Sequence, residues 1–178
     1  MVNTYVQAKQ ADDRPLPVLL AAVHPTGIIL TGVLAGAILA TWLSEVSLGG
    51  SAELWIAYHQ AITDAYTYAL PPIGGLALIA ALAALATSWR NSRGRRHLLA
   101  AVGCLLVGFI VTVVVHFPIN AEIATWQPAD PPANWQQFRD RWLTAHAVRT
   151  VLAVAAFALL VIADPRRRAR AAREAESQ

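Results

Sequence analysis

The chain has 178 residues, of which 56% are hydrophobic and only 14% charged, with a formal net charge of +3. That is too apolar for an ordinary water-soluble domain of this size and points to a lipid-exposed surface. One cysteine, Cys104, excludes an intrachain disulfide.

In chain order, a polar lead of mixed charge (1–17, with Lys9 and Arg14) reads as a short cytoplasmic segment and not as a secretory signal. A four-span membrane domain over 18–163 follows, with spans near 24–43, 72–89, 98–117 and 145–163. Each is about the ~20 residues needed to cross ~30 Å of hydrocarbon. The fold class expected is all-α, a four-transmembrane-helix bundle with outer interfacial helices. Arg90, Arg93, Arg95 and Arg96 fill the link between spans two and three. Arg166, Arg167, Arg168, Arg170 and Arg173 mark a basic tail over 164–178. The link between spans one and two has no Lys or Arg, so both termini are expected in the cytoplasm and the links 44–71 and 118–144 outside. The expected location is the plasma membrane of a bacterium. The tail suits a positive-inside anchor touching anionic lipid, not a nucleic-acid site.

The outer links carry structure of their own. Leu54, Tyr58, Ala61, Ala65 and Tyr68 recur at helical spacing after Ser51, a suitable N-cap, and predict an interfacial helix over the bundle. The second link breaks at Asp130-Pro131-Pro132 and then reads as a helix leading into span four. Trp126, Trp135 and Trp142 belong to this region, where tryptophan at a water–lipid boundary is ordinary. The Gly- and Ala-rich faces of spans one and two suit close packing within a chain or in a homo-oligomer.

An ionisable residue inside a span costs ~3 kcal/mol on insertion scales and is a functional candidate by default. His116 closes span three, His146 and Arg149 open span four, and His59 lies on the interfacial segment. With Asn120 and Glu122 they would converge on one mouth of the bundle. His146 and Arg149, three residues apart, share a helix face, continued by the small Ala153 and Ala156. His116 and Asn120 are four apart, with Pro118 between them predicting a bend or helix end. The bland alternative is interfacial histidines and a snorkelling arginine. His24 and His97 fall at the opposite end and stand outside the group.

The segments "PINAEIATW" (118–126) and "NWQQFRDRWLTAHAVRT" (134–150) resemble the anthrone-oxygenase-like family of small four-helix membrane proteins. The shared features are an Asn after span three, a Trp, then Arg and Trp before a His-x-x-Arg opening span four. Asn120, Trp126, Trp135, Arg139, Trp142, His146 and Arg149 hold those positions, and "GVLAGAILATW" (32–42) fits span one. The resemblance covers most of 25–163; its specific motif covers 118–150. The "YHQ" at 58–60 is not tied to the family's common pattern and would mark a subgroup.

The resemblance implies an oxygenase that converts an activated aromatic CH₂ into C=O with O₂. Such chemistry needs a base, a cation or donors for the oxyanion, and flat apolar walls. On that reading His146 is the base, and Arg149 and Asn120 hold the oxyanion. Trp126, Trp135 and Trp142 line or lid the pocket, Arg139 orients them, and His116 contacts the substrate. No cofactor is expected, and a hydrophobic aromatic substrate would arrive from the bilayer. Two alternatives stay open. His59, His116 and His146 could hold Cu or Fe in a metal-dependent oxidase. The chain could instead be a non-enzymatic accessory subunit that binds a partner.

Overall fold

The computed structural model describes residues 15–48, 50–89 and 92–164. The expected polar lead up to residue 14, the tail beyond Asp164 and the link residue Arg90 lie outside the described residues. Six α-helices and one π-helical turn occur among the described residues: α1 (Pro15–Ser47), α2 (Ala52–Thr67), α3 (Leu70–Thr87), α4 (Ser92–Val111), the π turn (Thr112–His116), α5 (Phe117–Ile123) and α6 (Trp135–Ala163). No strand occurs among the described residues.

Four stretches are long and apolar enough to cross a membrane: Ala22–Ser47, Leu70–Thr87, Gly94–Ile123 and Trp135–Ala163. The protein is therefore a four-span, all-helical integral membrane protein. Boundaries differ from the sequence reading in physical detail. The first helix begins at Pro15, not near 24, and runs through Pro25. In an apolar helix, neighbouring structure compensates for a proline more readily than in water. The second span starts at Leu70, with Pro71 and Pro72 in its first turn, where their missing N–H groups have no helical role.

Pro118 does not end its helix. The backbone absorbs it with the π turn directly upstream, whose closing N–H (Phe117) reaches back to the Thr112 carbonyl. The extra residue in that turn accommodates a ring that would otherwise clash with the carbonyl four residues earlier. α4, the π turn and α5 thus form one span.

Packing in this bundle is inverted relative to a soluble protein. Ala77, Ala81, Ala84, Ala153 and Ala156 are buried, while Ile29, Ile79 and Val151 are exposed. Lipid is as apolar as a leucine side chain, so burying large aliphatics gains little, and small residues let helices approach. Gly32 shows this closely. A Cβ there would sit 3.0 Å from the Phe157 ring, so α1 and α6 meet at a position where no side chain fits without displacement.

Two cores result. At the arginine end, Ala84, Leu85, Leu98, Ala101 and Leu160 pack together, and His24 ties α1 to α6 by donating from Nε2 to the Leu160 carbonyl (2.9 Å). At the other end, Trp55, Ile56, Ile119, Ile123 and Trp142 pack beneath α2, which closes the bundle as a cap. Ser51 N-caps α2 by accepting from the Leu54 N–H (3.2 Å).

The expected helix over the bundle forms as α2, and its inward face is not the Leu54 stripe. Leu54 and Tyr68 are 54% and 85% exposed, and the buried face is Trp55, Ile56 and His59. The reason is polar satisfaction. His59 pairs with Glu45, and Gln60 donates to the Ile123 and Trp126 carbonyls (both 2.9 Å) at the end of α5. Those contacts fix the rotation of α2 and turn the Leu54 stripe outward.

Candidate functional site

Between the two cores lies a cavity of about 400 Å³, inside the ~300–1,000 Å³ range of small-molecule sites. Its walls are mostly aliphatic, from Leu34 and Ile38 on α1, Leu78 on α3 and Leu105 on α4. Its polar side is assembled by the π turn, α5 and α6: Thr112, His116, Asn120, Trp142, His146 and Arg149. The π turn matters here. It widens the helix where Thr112 and His116 face α6, and wide turns of this kind are frequent at functional sites.

The hydrogen bonds assign the protons. His146 Nε2 lies 2.9 Å from the Ile38 carbonyl, which only accepts, so Nε2 carries the hydrogen. Arg149 Nη2 lies 3.0 Å from His146 Nδ1, and a guanidinium only donates, so Nδ1 is the acceptor. His146 is therefore held neutral with both ring nitrogens engaged. Arg149 Nη1 donates to the Thr112 hydroxyl (3.2 Å), which itself donates to the Gly108 carbonyl (2.9 Å). The guanidinium is thus aimed from two sides, and its Nε–H has no partner among the described residues. No acidic side chain pairs with it there: the ion pairs among the described residues are His59–Glu45 and Arg139–Asp140.

His116 differs from His146. Its Nδ1 makes one long hydrogen bond, donating to the Val111 carbonyl at 3.4 Å, and its Nε2 is buried without a partner among the described residues. A ring with Nδ1–H leaves Nε2 as an unpartnered lone pair, enclosed beside the Trp142 and His146 rings at the edge of the cavity. Trp142 organises the rest. Its indole stacks on His146 (4.4 Å between centroids) and meets His116 edge-on (5.3 Å). Its Nε1–H donates to Asn120 Oδ1 (2.8 Å), so the Asn120 amide hydrogens remain to donate elsewhere.

The structure brings together His116, Asn120, Trp142, His146 and Arg149. Trp126, Trp135 and Arg139 do not line this cavity. Trp126 and Trp135 flank the cap core instead, and Arg139 reaches Asp140 (3.5 Å). His116 and His146 are in ring contact, 5.4 Å between centroids, while His59 stands on the other side of the cluster in contact with Trp142. Trp142 stands in ring contact with all three, and no three His, Cys, Asp or Glu side chains among the described residues are grouped to hold a metal ion. Thr112 and Glu45 escaped sequence reasoning. Thr112 is an unremarkable polar residue in an apolar run. Glu45 gave one signal, as the sole acid of α1, placed at a span end where acids are commonplace.

Comparison with known proteins adds the family. The sequence profile described as anthrone oxygenase matches residues 58–159, more than half of the chain and all of its cavity-lining polar side. No similarity to a curated protein or to a solved structure accompanies it. The chain belongs to the anthrone oxygenase family.

Proposed function

We propose that the protein is a membrane-embedded oxygenase of a hydrophobic, anthrone-like aromatic substrate, with O₂ as co-substrate and His116 as the general base. The observation that carries the reading is Arg149: a partly buried cation, held by Thr112 and His146, with no acidic partner among the described residues, on the wall of an apolar cavity. A charge in that position calls for an anionic or anion-forming ligand. An anthrone supplies one, because loss of a CH₂ proton places negative charge on its ring carbonyl oxygen.

The chemistry balances as R₂CH₂ + O₂ → R₂C=O + H₂O. His116 Nε2 takes a C–H proton as charge develops on the carbonyl oxygen beside Arg149 and the Asn120 amide. The carbanion reduces O₂ and forms a C–O bond. Loss of the second C–H proton with cleavage of the O–O bond leaves the new carbonyl, and the second oxygen departs as water. The substrate's own carbanion is the reductant, so the proposal includes no cofactor.

The base differs from the sequence reading. His146 could take a proton only by giving up the Arg149 hydrogen bond, so we assign it to positioning Arg149. The Arg-rich end faces the cytoplasm and the capped end faces away from it, in a bacterial plasma membrane.

The test is O₂ uptake by purified protein in nanodiscs with a tricyclic anthrone. Wild type should consume one O₂ per ketone formed, and His116→Gln should lower turnover by ~10²-fold or more, the scale of a lost acid–base group. His146→Gln should lose less. Full turnover in His116→Gln would remove the base assignment, and no uptake by wild type would remove the reaction.

A further inference from the structure

Glu45 and His59 are both fully buried, and His59 Nδ1–H donates to Glu45 Oε1 at 2.9 Å. The other carboxylate oxygen and the other ring nitrogen have no partner among the described residues. A pair kept for stability alone would be expected to satisfy its remaining polar atoms, because half-satisfied ionisable groups are costly in a low-dielectric interior. His59 also lines a second cavity of about 170 Å³, together with Gln60, Thr63, Asp64, Asn120 and Ala124.

This chamber is unlike the first. Its lining is largely polar, it is large enough for several waters, and it carries the exposed carboxylate-bearing residue Asp64 and the exposed Ala124 at its rim. Thr63 and Asn120 line both cavities and so form a shared partition. His59 and His116 pack edge-on against the same indole, Trp142, at 4.9 and 5.3 Å between ring centroids. The chamber therefore has His59 of the buried pair in its wall and shares Thr63 and Asn120 with the main cavity, while the Trp142 ring contacts both His59 and His116.

We propose that this second chamber is a water-filled proton conduit serving the main cavity, with the Glu45–His59 pair as its proton-exchanging element. The inference rests on the oxygenase reading above. Glu45 fixes the tautomer of His59 by accepting from Nδ1, which leaves Nε2 as the nitrogen that exchanges. The conduit lets a proton held on His116 exchange with solvent, without a net proton being consumed.

The experiment separates exchange from turnover. In D₂O without O₂, the base can remove a substrate proton but no product can form, so deuterium incorporation at the anthrone CH₂ reports proton exchange with solvent. Wild type in nanodiscs should incorporate deuterium well above the uncatalysed background. Glu45→Gln and His59→Gln should lower that incorporation at least tenfold, because the proton then returns from His116 to the same carbon. Aerobic turnover should fall less than threefold, since a proton taken from carbon can leave with the product oxygen. Ala124→Phe, on the exposed rim and remote from the dyad's hydrogen bond, should plug the chamber and reproduce the effect in a folded protein.

A purely structural role predicts that exchange and turnover fall by the same factor, and that result overturns the conduit. Unchanged exchange in all three variants overturns it as well. Wild type that neither exchanges deuterium nor consumes O₂ instead sinks the oxygenase reading, and the conduit with it.

Discussion

Replacing Arg149 by Met is expected to abolish function while sparing the fold, and the sizes of the opposing terms come from its contacts. The guanidinium makes two hydrogen bonds, to Thr112 Oγ1 and to His146 Nδ1, and meets no carboxylate among the described residues. Losing it leaves the His146 lone pair unmatched, at ~1–3 kcal/mol. Thr112 keeps its own donation to the Gly108 carbonyl. Against that, a partly buried cation with no acidic partner among the described residues is removed, which relieves part of the penalty of several kcal/mol that a fully buried ion carries. The net effect on unfolding should therefore lie between zero and a small gain in stability. Turnover should fall by ~10²–10³, about 2.7–4 kcal/mol, as expected when a preorganised oxyanion donor is removed. Arg149→Lys should fall between the two, because a single ammonium cannot reproduce the fork that engages Thr112 and His146 together. The assay is kcat/KM for a tricyclic anthrone in nanodiscs, with thermal unfolding in the same preparation. A Met variant that unfolds several degrees lower would show that the cation holds the bundle together. One that keeps turnover within threefold would show that no oxyanion forms beside it.

Two further outcomes test the frame around the site. Gly32→Ala should destabilise by about 1 kcal/mol, the low end of overpacking, since the Phe157 ring it meets is partly exposed and able to shift; Phe157→Leu should restore the unfolding temperature, and failure to do so would remove the α1–α6 contact as the cause. In a Cys104→Ser background, a cysteine at Ala57 on α2 should react with an impermeant thiol reagent in right-side-out vesicles and a cysteine at Trp89 only in inside-out ones; the reverse pattern would invert the proposed orientation.

The spans were legible because their length and apolarity are properties of single segments, and the His146–Arg149 pairing because three residues on a helix fix a shared face. The rotation of each helix was harder to read. In water an apolar stripe marks the inside. In a bundle wrapped by lipid the stripe carries no such meaning, and Leu54 and Tyr68 on α2 face outward while His59 and Gln60 face in. Polar residues in search of partners were the better guide. The roles of the two histidines were illegible for a different reason. What binds His146 Nε2 is a carbonyl 108 positions away, and sequence order does not reveal that contact. Trp126, Trp135 and Arg139 show the limit of a motif: they share the segment that carries the site without lining its cavity.

The π turn has a consequence for what this chain can lose. Each residue of an α-helix advances the helical phase by about 100°. The wide turn takes up one extra residue locally, so Asn120 and Ile123 keep the phase they would have in an ordinary helix one residue shorter. Deleting one residue between Thr112 and His116 would close the turn to ordinary α geometry and bring the Pro118 ring against the carbonyl four residues before it. It would leave Asn120 and Ile123 near their present faces, while Thr112 and His116 could no longer both be presented to α6 from one turn. The segment that looks least regular in span three is thus where one additional side chain is fitted into the site without disturbing the rest of the helix.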